Sequence, residues 1–105
     1  MPRRVLAKVA DPDTRLFVSA ITAWEYADLQ KRRRLPTTED ILHLQSLYGF
    51  ELLDFPSSAW ALAEELPDIH RDPVDRMFIA HAIAADLTIV TADRSIRRYP
   101  VKTLW

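Results

Sequence analysis

The spacing of apolar positions changes several times along the chain, and the changes divide it into alternating helices and strands. Pro2 to Val9 reads as a short basic helix with Val5, Leu6 and Val9 on one face, broken at Asp11-Pro12-Asp13. Leu16 to Val18 reads as a strand. Ser19 caps a helix that runs through Leu29, with Ile21, Trp24 and Asp28 on one face and Trp24 expected in the core. Lys31-Arg32-Arg33-Arg34 closes that helix, where cations complement the helix dipole, and Pro36 stops the segment. Thr37 or Thr38 caps a third helix whose apolar stripe is Ile41, Leu42, Leu44, Leu47 and Tyr48, and Gly49 ends it. Phe50 to Leu53 is a strand. Pro56 to Leu66 is a helix capped near Ser57 or Ser58. The polar loop from Asp68 to Arg71 follows, and His70 within it, lacking a second histidine at ligand spacing, reads as a loop side chain.

The stretch from Asp72 to Asp93 organises the rest. Asp72 is a good N-cap, and Pro73 suits the first helical position, where its missing N–H costs nothing. Asp75 then falls at the third helical position, within the field of the helix N-terminus. Met77 to Ala85 is nearly all apolar, so the helix should be buried over most of its surface. Leu87 to Val90 reads as a parallel strand covered on both faces, with Thr91, Ala92 and Asp93 at its C-terminal end. Ile96 to Tyr99 is a helical turn and Val101 to Trp105 a terminal strand. Strands alternating with helices imply an α/β fold with a mostly parallel sheet and helices on both faces.

Open α/β sheets bind ligands at the C-terminal ends of their strands. Asp75 at a helix start and Asp93 at a strand end therefore stand to meet in one acidic pocket. Ser19, Thr22 and Glu25 sit three apart, which lines their side chains up beside the start of a second helix that also follows a strand. Each acid has a plain structural use too: Asp72 as a cap, Asp75 against the helix dipole, Asp93 in a turn, and Glu25 on a solvated helix face.

The 105 residues suffice for one small domain, and 49 % apolar with 28 % charged residues is the mix of an ordinary globular protein. A net charge of −1 means that any nucleic-acid binding must come from local patches. The absence of cysteine excludes disulfides and thiolate metal sites and fits a reducing cytoplasm. The N-terminal residues lack a signal peptide's apolar core, and no stretch is long enough to cross a bilayer.

Four stretches together resemble the PIN-domain ribonucleases, in particular VapC-type toxins of type II toxin–antitoxin systems. They are V-S-A-I-T-A-W-E-Y-A (18–27), H-R-D-P-V-D-R-M-F-I-A-H-A (70–82), L-T-I-V-T-A-D (87–93) and I-R-R-Y-P-V-K-T-L-W at the end. The resemblance spans essentially the whole chain, and it implies a single PIN-like α/β/α domain over residues 1–105. It also implies a metal-dependent endoribonuclease that cleaves RNA phosphodiester bonds. Residue by residue, the family's acids fall on Glu25, Asp75 and Asp93, as catalytic groups and metal ligands. Asp72, Ser19, Thr22 and Thr91 support them. Arg76 and Lys31 to Arg34 are candidates to guide the RNA backbone. The implied cofactor is Mg²⁺ or Mn²⁺, since hard cations take carboxylate and water oxygens. The implied partners are RNA, a neutralising antitoxin and a second copy in a homodimer, with no membrane and a cytoplasmic location.

One departure is large. The family begins with an apolar strand that ends in a first catalytic aspartate and lies at the centre of the sheet, and nothing before Pro2 supplies it. Asp13-Thr14 follows a helix and a breaker, and the role is not carried onto it. An N-terminally truncated domain is therefore expected, with the Leu16–Val18 and Leu87–Val90 edges closed on each other, filled by a partner or left apart. The alternative function is a catalytically defective remnant that only binds protein.

Overall fold

The computed structural model describes residues 1–69 and 72–105, so the reading of His70 lies outside the described residues. In chain order the elements are α1 (Arg3–Ala10), β1 (Phe17–Ser19), α2 (Ala20–Lys31), α3 (Ile41–Tyr48), β2 (Glu51–Leu53), α4 (Ala59–Glu65), α5 (Pro73–Ala84), β3 (Ile89–Val90), a 3₁₀ turn (Ile96–Arg98) and β4 (Thr103–Leu104). The order of helices and strands is the one expected from the apolar pattern, and the α/β class holds.

The strands form two parallel pairs. β1 pairs with β2 in the register Phe17 to Glu51 and Val18 to Leu52, and β3 pairs with β4 in the register Ile89 to Thr103. Each pair is a separate two-stranded sheet, so β1 and β3 are not joined. Arg15 holds the start of the first pair by a two-pronged bond to Glu51, at 2.8 and 2.9 Å, with its guanidinium over the Phe17 ring.

The core lies in the C-terminal half. Ala63 and Leu66 meet Ile79 and Ala80 of α5, and Ile89, Ile96 and Tyr99 complete the buried cluster. α2 and α3 contribute no fully buried residue. The Cα radius of gyration is 14.2 Å, against about 13 Å for a well-packed chain of this length. The N-terminal half is packed more openly than the C-terminal half.

Several expectations are corrected. Trp24 is 59 % exposed and not core, because α2 turns its Ile21–Glu25 side rather than its indole toward α5. Only part of the α3 stripe is covered, with Leu42, Leu47 and Tyr48 in solvent. β3 is two residues long, and Val90 is 42 % exposed, so the strand is covered on one face and not on both. α3 is capped by Asp40, whose side chain accepts from His43 N at 2.9 Å, in place of Thr37 or Thr38. Ser58 precedes α4 without a side-chain cap bond.

α2 and α5 end alike. After α2, the N–H groups of Arg33 and Arg34 donate to Gln30 O and Leu29 O, with Arg33 at φ 56°. After α5, the N–H groups of Asp86 and Leu87 donate to Ile83 O and Ala82 O, with Asp86 at φ 54°. Both are Schellman closures with a side-chain-bearing residue where glycine is usual.

Candidate active site

The site begins with two helix starts. Ser19 Oγ accepts from Ile21 N at 3.1 Å and opens α2. Asp72 Oδ1 accepts from Val74 N at 2.9 Å and opens α5, with Pro73 at its first position. α2 and α5 pack against each other. Glu25, half-buried in the second turn of α2, thereby comes within the electrostatic reach of the first turn of α5. Partial burial pushes its carboxyl above the usual range, and the negative charges of Asp75 and then Asp72 push it further. Three carboxyl groups from two helices thus bear on one another.

Asp93 follows β3 and is exposed. Its Oδ1 accepts from Ser95 N at 2.8 Å and Ser95 Oγ at 2.7 Å, and its own N–H donates to Thr91 Oγ1 at 3.0 Å. Thr91 therefore shapes the turn that carries Asp93. Thr22 is half-buried on α2, facing the groove between the two sheets. Among the described residues, no three His, Cys, Asp or Glu groups stand together closely enough to hold one ion.

Arg76 directs its guanidinium at main-chain carbonyls: Pro67 O at 2.9 Å, Ala63 O at 2.7 Å and Leu66 O at 3.2 Å. It ties the C-terminal end of α4 to the start of α5, in keeping with the preference of orphan helix carbonyls for a cationic donor. In the basic run, Arg32 pairs with Asp28 at 3.1 Å, and Lys31, Arg33 and Arg34 are exposed.

Sequence reading missed His81. It is 3 % exposed, bonds Ser19 Oγ through Nδ1 at 2.7 Å, and meets the Phe55 ring edge-on at 5.3 Å. The available signal was its isolation: His81 is the one polar residue between Met77 and Ala85, and a buried polar group needs a partner.

The donor set is chemically suited to a hard divalent ion. It is made of carboxylate oxygens, and the charges crowding Glu25 repel one another until a cation offsets them. Among the described residues, no helix is long and apolar enough to cross a membrane. The chain matches no curated protein. Residues 2–102 match the family model of the PIN domain, and the chain therefore belongs to the PIN domain family, whose members are in general nucleases.

Proposed function

We propose that this chain is a metal-dependent endoribonuclease of the toxin type, cleaving RNA phosphodiester bonds and held in check by a cognate antitoxin. The observation that carries the reading is the crowding of Glu25 by Asp75 and Asp72 across two packed helices. Glu25, Asp75 and Asp93 are the proposed catalytic groups and the ligands of Mg²⁺ or Mn²⁺. When bound, the ion supplies a nucleophilic water and offsets charge on the phosphoryl oxygens. Without it, Glu25 takes up a proton more readily than an ordinary glutamate. Asp72 fixes the start of α5 and so the direction of Asp75, Ser19 and Thr22 do the same beside Glu25, and Thr91 braces the turn of Asp93. Lys31, Arg33 and Arg34 are placed in solvent to meet an RNA backbone, with Arg32 shared with Asp28. Arg76 keeps only the part of its donor set not given to the α4 carbonyls. A cytoplasmic location and a homodimer complete the proposal.

A second reading has its own support. The separation of β1 and β3 into two sheets, and the lack of a three-group ion site among the described residues, favour a remnant that binds protein without cleaving RNA.

Incubation of the purified chain with RNA and Mg²⁺ separates the two. The nuclease reading expects cleavage that stops on chelation and falls by about a hundredfold or more in Asp75→Asn, the loss expected for a group acting in the transition state. RNA that stays intact at every Mg²⁺ concentration, with the chain folded, supports the remnant.

A further inference from the structure

The gap between the two sheets is built as a receptor. A cavity of about 650 Å³ lies between β1 and β3. Its walls are Phe17 and Val18 on one side and Ile89 and Val90 on the other, and Phe78 and Ala82 of α5 line it between them. The lining is largely apolar, and Val90 is 42 % exposed into this space and to solvent.

The main chain says what fits there. Glu51 N donates to Leu16 O at 2.9 Å, so Leu16 and, two residues on, Val18 turn their peptide groups toward β2. Main-chain groups alternate between the two edges of a strand. Phe17 and Ser19 therefore turn theirs toward the cavity. Ile89 N donates to Lys102 O at 2.9 Å and Thr91 N to Leu104 O at 3.1 Å, which leaves Val90 turned the other way, away from β4. Among the described residues no third strand pairs with either inner edge. A helix docked in this groove would satisfy its own backbone and leave both edges bare. An extended segment satisfies both at once.

We infer that this groove accepts one extended, apolar, proline-free strand of a different polypeptide, about five residues long, which pairs with β1 and β3 and joins the two sheets into one. A second copy of this chain is a poorer occupant, because every strand described here already has a partner in its own fold. The inference does not depend on the nuclease reading.

A synthetic peptide of five alternating valines and isoleucines, flanked by lysines for solubility, serves as the probe. Polarisation of the labelled peptide should show saturable one-to-one binding, and amide exchange at Phe17, Ser19 and Val90 should slow in its presence. The same peptide with proline at its centre should not bind, since proline donates nothing to a ladder. Val90→Pro removes a donor from the inner edge and none from the β4 side, so it should leave the chain folded and weaken binding about tenfold, the cost of one buried main-chain hydrogen bond. Should Val90→Pro fail to fold, Val90→Lys, which crowds the groove and keeps the ladder, should weaken binding in its place. Binding that ignores the central proline, exchange that slows elsewhere but not at these amides, or a dimer that protects them without peptide would each overturn the inference.

Discussion

Ser19 Oγ lies 2.7 Å from His81 Nδ1, and this bond links the start of α2 to the middle of α5. Ser19 also accepts from Ile21 N, and the imidazole bonds the main-chain carbonyl of Asp54 as well. One buried side chain thus sets the two helices that carry Glu25 and Asp75 against each other. Burial holds the His81 imidazole below its usual pKa, with the Asp54 carbonyl as a smaller opposing effect.

That shift has a sign. Below about pH 6.5 the unfolded chain takes up a proton at His81 that the folded chain refuses. Stability is therefore full above that pH and falls as pH drops toward the lower folded value. His81→Gln removes the titration and keeps polar atoms in place. Urea unfolding from pH 7.5 to 5 should show a shallower acid slope in the variant than in the wild type, and a loss of about 1–3 kcal/mol at neutral pH from the broken buried network. Parallel slopes would take His81 out of the pH response.

Glu25 behaves in the opposite sense. Its folded pKa is raised, so its contribution to stability is full below its unfolded value and is lost as pH rises through the folded one. At neutral pH the ionised carboxylate strains the apo fold. Glu25→Gln should raise the melting temperature of the metal-free chain and abolish RNA cleavage, a stability gain bought with function. A melting temperature that falls in this variant would contradict the crowding.

Arg33 holds the left-handed position that closes α2, at φ 56°. A residue with a Cβ loses roughly 1–2 kcal/mol there relative to glycine. Arg33→Gly should stabilise the chain by about 1 kcal/mol after glycine's own entropy cost. RNA binding measured against salt concentration should lose slope in the same variant if Arg33 touches phosphate.

Arg76 separates structure from recognition. Its fork reaches the carbonyls of Ala63, Leu66 and Pro67, and lysine keeps the charge without the fork. Arg76→Lys should lower stability by about 1–3 kcal/mol, while RNA affinity per folded molecule stays near the wild-type value. A selective loss of RNA affinity in a chain of unchanged stability would reverse that assignment.

Local signals made most of the fold legible. Ser19, Asp72 and Pro73 mark the starts of α2 and α5 because capping and proline chemistry act within a few residues. Gly49 marks the end of α3 for the same reason. The ends at Arg33 and Asp86 were hidden because neither residue is glycine. Trp24 and Val90 were misjudged because periodicity reports that a face is apolar, and only the tertiary arrangement decides whether anything covers it. At the site, Glu25 and Asp75 were visible through their places on two helices. His81 was hidden, since its partner Ser19 is 62 residues away in the chain.

The account turns on whether Glu25 and Asp75 form a cation site, and the titration of the Glu25 carboxyl tests that most directly. Carbon-detected NMR of the folded chain can follow it with and without Mg²⁺. The account predicts a value above the ordinary glutamate range in the metal-free chain, a marked fall on adding Mg²⁺, and no such fall in Asp75→Asn. A Glu25 carboxyl that titrates identically with and without Mg²⁺ would contradict it.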